Sequence, residues 1–137
     1  MVLEQFIIMS VYKIIKQDLY RYGVRGGVKA YLMIPGFKYT VFIRLIQSFQ
    51  VYKLLWPLTV LLKIKLILMQ HKYGIQIPWS VKIGKGFYIG HYGEIVINGG
   101  VIIGQNVNIS QGVTIGQANR GRHKGVPTIG NEVYIGP

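Results

Sequence analysis

The sequence predicts a mostly β solenoid preceded by an α-helical N-terminal region. Between Ile77 and Gly136 an aliphatic residue recurs every six positions, glycine usually follows it, and the preceding residues have helical spacing instead. Six residues is not a helical period, and so short a unit cannot be a domain by itself. We therefore expect each hexad to supply one short strand and a turn, with neighbouring coils sharing one core.

The hexad register is interrupted twice. Its aliphatic positions are Ile77, Ile83, Ile89, Ile97, Ile103, Ile109, Ile115, Ile129 and Ile135. The step from Ile89 to Ile97 is eight residues, and the excess falls around His91. The step from Ile115 to Ile129 is fourteen residues, and its surplus holds Arg120, Arg122, His123 and Lys124. At about eighteen residues per coil, we expect roughly three coils with two excursions.

Glycine, asparagine or serine after the aliphatic position is expected to accept a tight corner with positive φ. The aliphatic side chains themselves are expected to point inward and to stack on their equivalents in the next coil. The composition changes abruptly near residues 72–75. We therefore divide the chain into a helical region, residues 1–73, and a solenoid, residues 74–137.

Apolar spacing and punctuation residues predict the helices of the first region. The predicted segments are a helix from Glu4 to Tyr22, a short apolar run from Val28 to Ile34 closed by Pro35-Gly36, and helices from about Lys38 to Leu55 and Trp56 to Tyr73. Pro57 is compatible with the last helix because it falls in the first turn.

The net charge is +12, and nine of these charges lie in the first 72 residues. Such an excess suits a polyanion (membrane headgroups, a nucleotide cofactor or an acidic saccharide), and the alternative is a solvated basic face. No recognised motif points to nucleic acid, so we expect no such partner. Because the chain has no cysteine, disulfides, thiolate metal sites and cysteine nucleophiles are excluded.

The segment from Leu54 to Met69 is strongly apolar but is interrupted by Lys63 and Lys65. It is shorter than the roughly 20 residues of a spanning helix. We therefore expect helices that pack on one another and on a partner subunit, or that lie on a membrane surface through lysines and Trp56. Glu4 precedes the first apolar run, which does not suit a signal peptide. The expected location is the cytoplasm or the inner face of the membrane.

The hexads resemble the left-handed parallel β-helix of the hexapeptide-repeat acyltransferases, and in particular the serine acetyltransferases. The matching residues are Lys82-Ile83-Gly84-Lys85-Gly86, His91, Ile95-Val96-Ile97 and Gln111-Gly112-Val113-Thr114-Ile115-Gly116. Upstream, Pro35-Gly36-Phe37 followed by Arg44 is similar to the helical segment of that family. The resemblance covers the chain from about Asp18 to its end.

The resemblance implies direct acetyl transfer from acetyl-CoA to a hydroxyl, at a site shared between subunits of a homotrimer and without a metal. His91 would be the general base, since imidazole titrates near neutrality. The Arg122-His123 pair matches a substrate-contacting pair of the family, although Lys124, Gly125 and Val126 intervene before Pro127. The loop residues Gly116, Gln117 and Lys124 are our candidates for cofactor binding. His71, near a helix end, is assigned a structural role.

Two departures from the serine enzymes concern the histidine and the acceptor. Where that family has an aspartate that orients the histidine, fifteen positions before it, this chain has Gln76, and where an aspartate directly before the histidine helps to hold serine's amino group it has Gly90. An ammonium-bearing acceptor would lose both carboxylates. The pattern instead resembles the relatives that occur in polysaccharide biosynthesis and acetylate sugar hydroxyls, with serine O-acetyltransferase as the alternative.

The sequence stops at Pro137, just after the start of a hexad, whereas a solenoid needs a cap on its final edge. We therefore expect a fragment of a longer product. An inactive fragment, or a scaffold at the membrane surface, is the competing hypothesis from another functional class.

Overall fold

The computed structural model describes residues 2–137, with side chains from residue 9 onward. Its helices are α1 (Val2–Tyr20), α2 (Gly27–Met33), α3 (Pro35–Phe49) and α4 (Trp56–Tyr73), with a 3-10 turn at Lys53–Leu55. The predicted bounds of α4 are confirmed, and Pro57 lies in its first turn. Gly74, whose backbone is in the left-handed helical conformation, ends α4, and the first strand begins directly after it.

Nine short strands follow the helices. They are β1 (Ile75–Gln76), β2 (Lys82–Ile83), β3 (Tyr88–Ile89), β4 (Ile95–Ile97), β5 (Ile102–Ile103), β6 (Asn108–Ile109), β7 (Thr114–Ile115), β8 (Thr128–Ile129) and β9 (Tyr134–Ile135). Every third strand pairs in parallel, which gives sheet A (β1, β4, β7), sheet B (β2, β5, β8) and sheet C (β3, β6, β9). The chain thus forms three stacked coils with three sides, as the hexads predict.

The pairing register shows how the two excursions fit into the stack. On sheet A, Val96 pairs with Thr114, eighteen residues further on. Gln76 pairs with Val96, twenty residues on, because the His91 corner adds two residues to that coil. On sheet B, Ile102 pairs with Thr128, twenty-six residues on. Each excursion is therefore extruded at a corner, and the strands on both sides keep their register.

The predicted inward positions form the core. Ile77, Ile89, Ile97, Ile103, Ile109 and Ile115 are buried, and so are Val81, Val101, Val107 and Val113. Residues from α3 and α4 join the same cluster, among them Ile43, Leu66 and Met69. The helices and the coils therefore share one continuous core.

The predicted reason for glycine after the aliphatic position is wrong. Positive φ occurs two residues later, at Gly86 (73°) and Asn106 (55°). Gly84 is required for another reason, because a Cβ there would lie 2.4 Å from the Gly104 carbonyl oxygen of the next coil. Parallel coils stack about 4.8 Å apart, so a side chain that points along the stack has no room.

The apolar run from Val28 to Ile34 ends before Pro35-Gly36 as predicted, since α2 ends at Met33. The predicted start of the next helix near Lys38 is wrong. Pro35 is the first residue of α3. Its missing N–H costs nothing there, because the first turn has no intrahelical acceptor for it. The same helix ends at Phe49 rather than near Leu55, and the separate 3-10 turn leads into α4.

Side chains of α3 cover the backbone edge of the first coil. The Tyr39 hydroxyl donates to the Ile77 carbonyl at 3.0 Å and accepts from the Ile77 N–H at 3.3 Å. The Gln47 amide donates to the carbonyls of Trp79 and Val81, at 2.9 and 2.7 Å. Since no preceding coil pairs with these groups, the helix side chains replace the missing strands.

A buried ion pair between α1 and α3 completes this cover. The Arg44 guanidinium donates to both carboxylate oxygens of Asp18, at 2.9 and 3.2 Å. It also donates to the carbonyls of Ile83 and Gly84, while the Asp18 carboxylate accepts from the Phe87 N–H at 2.9 Å. Burial raises the pKa of Asp18 above 3.8, and the hydrogen bond from Arg44 opposes that shift.

We predict that Arg44→Met lowers the free energy of unfolding by about 3–5 kcal/mol, because the Asp18 carboxylate then stays buried without a countercharge. The double variant Asp18→Leu/Arg44→Met should lose less than the sum of the two single variants. Urea unfolding measures each value. Arg25→Met, at an exposed position, is the control and should change stability by less than about 0.5 kcal/mol. Additive losses would contradict the coupling.

Candidate functional site

His91 lies where the chain turns from β3 on sheet C to β4 on sheet A. The first coil carries its two extra residues at this corner, and the imidazole is exposed. Gly93 has φ 113° and Glu94 has φ 53°. The Gly93 carbonyl accepts from the Gly112 N–H at 3.0 Å, and the Ile95 N–H donates to the Gly74 carbonyl at 3.0 Å. The corner is therefore a bulge that hydrogen bonds hold to the next coil, at Gly112, and to the end of α4, at Gly74.

A cavity of about 280 Å³ adjoins His91. Its other walls come from the end of α2, the start of α3, β3 and the His91 corner: Met33, Ile34, Pro35, Gly36, Ile89, Gly90 and Tyr92. Gly36 lets the helix approach β3, since a Cβ there would lie 2.6 Å from the Ile89 carbonyl oxygen. The Pro35-Gly36 segment, which the sequence suggests only as part of a resemblance, is therefore a wall of the candidate site.

Sequence reasoning missed the aromatic contact that supports the corner. The Tyr92 ring meets the Tyr73 ring edge-on, with centroids 5.7 Å apart. Tyr73 is the last residue of α4, so the helix end steadies the residue that follows His91. The two tyrosines are nineteen residues apart in the sequence, and no local pattern predicts their contact.

Gln76 lies on the outward face of sheet A rather than against the His91 cavity. It is exposed and pairs with Val96, which in turn pairs with Thr114. Among the residues whose side chains are described, the acids are Asp18, Glu94 and Glu132. Asp18 is buried against Arg44. Glu94 follows His91 by three residues and is the carboxylate of the His91 bulge.

The second excursion forms an arm between β7 on sheet A and β8 on sheet B. Ala118 and Gly125 pair as an antiparallel bridge, with N–H to O distances of 2.9 and 2.8 Å. Arg120, Arg122 and His123 lie beyond the bridge and are exposed. The bridge thus presents a cluster of cations at the end of a short two-stranded stem.

A cavity of about 640 Å³ lies along this arm. It brings together four of the predicted binding residues, Gly116, Arg122, His123 and Lys124. Gln117, the fifth, is exposed but does not line this cavity. The walls are cationic and polar at one end and apolar at Val126 and Pro127. That combination suits an anionic ligand with an apolar part.

Within one chain, the two candidate regions lie at opposite ends of the strands of sheet A, and so at two different corners of the three-sided coil. The His91 corner precedes β4, whereas the arm follows β7 in the third coil. The two cavities share no lining residue. A single chain therefore does not bring His91 and the Arg122-His123 pair together.

The described residues contain no group of three or more His, Cys, Asp or Glu side chains that could hold a metal ion. His71 is exposed in the last turn of α4 and lines neither cavity.

Comparison with known proteins identifies sequence relatives over part of the chain. No family model matches. Serine acetyltransferases from two Helicobacter pylori strains, 26695 and J99, are each 36% identical over 63 residues, which is 46% of this chain. The matched segment is 37% of the length of those relatives.

Solved structures match nearly the whole chain. The serine acetyltransferase of Neisseria gonorrhoeae superposes with a TM-score of 0.71 at 22% identity and covers 93% of this chain and 49% of its own. The soybean enzyme, solved with serine, gives 0.70 at 25% identity, covering 93% and 53%. An Entamoeba histolytica isoform, solved with cysteine, gives 0.70 at 24% identity, covering 96% and 47%.

These comparisons confirm the resemblance to the serine acetyltransferases, and the solved structures share this chain's fold of N-terminal helices and parallel sheets. This chain spans about half the length of the solved structures it matches. These relatives are serine acetyltransferases, the activity that was expected here as the alternative to sugar acetylation.

We predict that Gly36→Ala destabilises the protein by about 1–3 kcal/mol, because the methyl group would press α3 away from β3. The matched control is Gly27→Ala at the start of α2, where a Cβ meets its nearest atom at an ordinary 3.5 Å. That substitution should be neutral or stabilising, since alanine favours helices. Thermal unfolding measures both. Equal stability of the two variants would contradict the close approach at Gly36.

Proposed function

We propose that this chain is the acyl-transfer part of an acetyl-CoA-dependent O-acetyltransferase with a left-handed β-helix. The observation that carries the proposal is a histidine on a two-residue bulge of a three-sided parallel coil. The fold match to serine acetyltransferases and the partial sequence match support it.

In this mechanism an unprotonated nitrogen of His91 takes the proton of the acceptor hydroxyl as that oxygen attacks the thioester carbonyl. The tetrahedral intermediate then collapses, the carbon–sulfur bond breaks, and the CoA thiolate receives the proton from the imidazolium. An ester and free CoA result, and the imidazole is regenerated. His91 is exposed, so its access to both substrates needs no opening of the fold.

The cationic arm would bind the anionic parts of the substrates. Arg122 and Lys124 line one cavity with His123. Guanidinium and ammonium groups bind phosphates through charge-assisted hydrogen bonds. The apolar wall at Val126 and Pro127 would face the pantetheine chain. Arg122 and His123 are also the candidates for contact with the acceptor.

The opposite placement of the two regions supports a site shared between subunits. The arm of one chain can meet the His91 corner of a neighbour if the three-sided coils of three chains assemble side by side around a three-fold axis. The outward faces of sheets A and B carry exposed apolar residues, Val96 at 38% and Ile102 at 42%. A homotrimer would cover such residues and complete the site.

The proposed acceptor is L-serine, as the relatives indicate. Its ammonium group would need a carboxylate, and Glu94 is the acid of the His91 bulge. The absence of acids at Gln76 and Gly90 favours a second candidate, a sugar hydroxyl, which has no ammonium to pair. The cytoplasm, where acetyl-CoA is available, is the proposed location.

We predict that His91→Ala lowers kcat for acetyl transfer by about 10²–10⁴-fold, because the hydroxyl loses its general base. A thiol-reactive dye that detects free CoA measures the rate with L-serine and with a panel of sugars. His71→Ala is the matched control and should keep full activity. Unchanged turnover by His91→Ala would remove this residue from the mechanism. Higher kcat/KM with any sugar than with L-serine would assign the second acceptor.

We predict that Arg122→Ala/Lys124→Ala weakens acetyl-CoA binding at least tenfold, because two charge-assisted contacts to the cofactor are lost. Calorimetric titration of His91→Ala without an acceptor, where no transfer occurs, should give a dissociation constant on the order of micromolar. Binding that is absent at millimolar acetyl-CoA would favour the inactive fragment or scaffold instead. Binding that is unaffected by the arm variant would place the cofactor elsewhere.

A further inference from the structure

Helix α4 has two apolar sides, and only one of them is covered. Thr59, Leu66 and Met69 are buried, and the latter two belong to the core shared with the coils. Leu58, Leu61, Ile64 and Leu68 are 44–64% exposed. Their spacing of three and four residues puts them together along the helix. We call these four residues the outer face of α4.

This helix is long enough to cross a membrane by length and composition. The stretch Lys53–Tyr73 has 21 residues, and 17% of its apolar 18-residue segment is buried in the fold. The apolar segment Leu54–Met69 is shorter than a spanning helix, but the helical stretch that contains it reaches that length. Packing nevertheless opposes insertion, since a spanning α4 would pull Leu66 and Met69 out of the common core.

The charges around the outer face are all of one sign. Lys65 lies within this stretch, at helical spacing from Leu61 and Leu68, and Lys72 follows Leu68 by one turn; both lysines are exposed. Lys53 precedes α4 in the 3-10 turn. No Asp or Glu occurs between Asp18 and Glu94 in the sequence. Long lysine side chains can keep their ammonium groups in water while their stems extend along apolar surface. The outer face is thus apolar, with lysines on it and beside it and no acid nearby.

A second copy of this chain is the less favoured cover for such a face. Pairing like with like would bring Lys65 and Lys72 of two copies together with no acid nearby to compensate. An anionic lipid surface offers apolar contact below and negative charge at the level of the ammonium groups. Trp56, 67% exposed at the start of α4, is a residue that favours the membrane interface.

We propose that α4 docks the protein on an anionic lipid bilayer, lying in the interface with its outer face among the acyl chains. The Thr59, Leu66 and Met69 side remains on the core, so the coils and the His91 corner stay outside the membrane. This inference is independent of the proposed acetyl transfer, because binding to vesicles needs neither substrate nor His91.

The test is co-sedimentation with vesicles of equimolar phosphatidylglycerol and phosphatidylcholine, at about 0.15 M salt, where charges are screened beyond ~8 Å. The protein should bind these vesicles and should bind weakly to phosphatidylcholine alone. Leu61→Gln/Ile64→Gln/Leu68→Gln should weaken binding roughly 100-fold, since three apolar contacts are lost. The matched control, Leu61→Ile/Ile64→Leu/Leu68→Ile, keeps the face apolar and should bind like the unmodified protein.

The charge contribution has its own pair of variants. Lys65→Gln and Lys72→Gln should each weaken binding to the anionic vesicles about fivefold. Lys82→Gln on sheet B, also exposed, should have no such effect. In a Trp79→Phe protein, the fluorescence of Trp56 should shift to the blue when vesicles are added, because the indole leaves water.

Three results would overturn the proposal. One is no binding of the unmodified protein to the anionic vesicles, and another is equal binding by the triple glutamine variant. In the third, light scattering shows that the triple glutamine variant loses self-association while its vesicle binding is unchanged. That result would assign the outer face to a second copy of the chain. Circular dichroism and thermal unfolding of each variant confirm that the fold is retained in these comparisons.

Discussion

The structure depends on how the exposed backbone edge of its first coil is satisfied. A strand of a parallel coil has partners above and below, but the first coil has a partner on one side only. Here Tyr39, Gln47 and the Asp18–Arg44 pair supply donors and acceptors from α1 and α3. Tyr22 adds another acceptor, for the Ile89 N–H at 3.0 Å, and burial raises the pKa of its hydroxyl. The helices therefore cover the first coil both with hydrogen bonds to its backbone and with apolar contacts to its core. These contacts hold α3 against the corner that carries His91.

The candidate site follows from this arrangement together with the two excursions. The coil keeps its register through both of them, so extra residues can only leave the stack at corners. One corner places His91 beside Pro35 and Gly36 at the start of α3, and the other extends the cationic arm. The two lie at opposite ends of the strands of sheet A, so neither works alone in the proposed mechanism. A trimer would join them, and the helical cover would orient the histidine corner within each subunit.

Helix α4 belongs to the same helical cover but differs from α3 in its environment. Its inner side joins the common core and its outer face is left apolar, with lysines on it and beside it and no acid nearby. A helix that is apolar all round is normally buried, so this face calls for a further partner. Docking on an anionic bilayer would cover it while the three-sided coil remains free to assemble and to present its corners.

The sequence by itself determined the coil, because a six-residue period with inward aliphatic positions has few solutions. It also located both excursions, the helical region and the bounds of α4. It did not determine why glycine follows the aliphatic position, since close stacking at Gly84 involves a coil twenty residues away. Nor did it reveal that Pro35 starts α3, that Tyr73 supports Tyr92, or that Asp18 and Arg44 form a buried pair. Only the tertiary structure decided these features, because each joins residues that are far apart in the chain and carry no local periodic signal. The same holds for the separation of His91 from the arm, which depends on the corner at which each excursion leaves the stack.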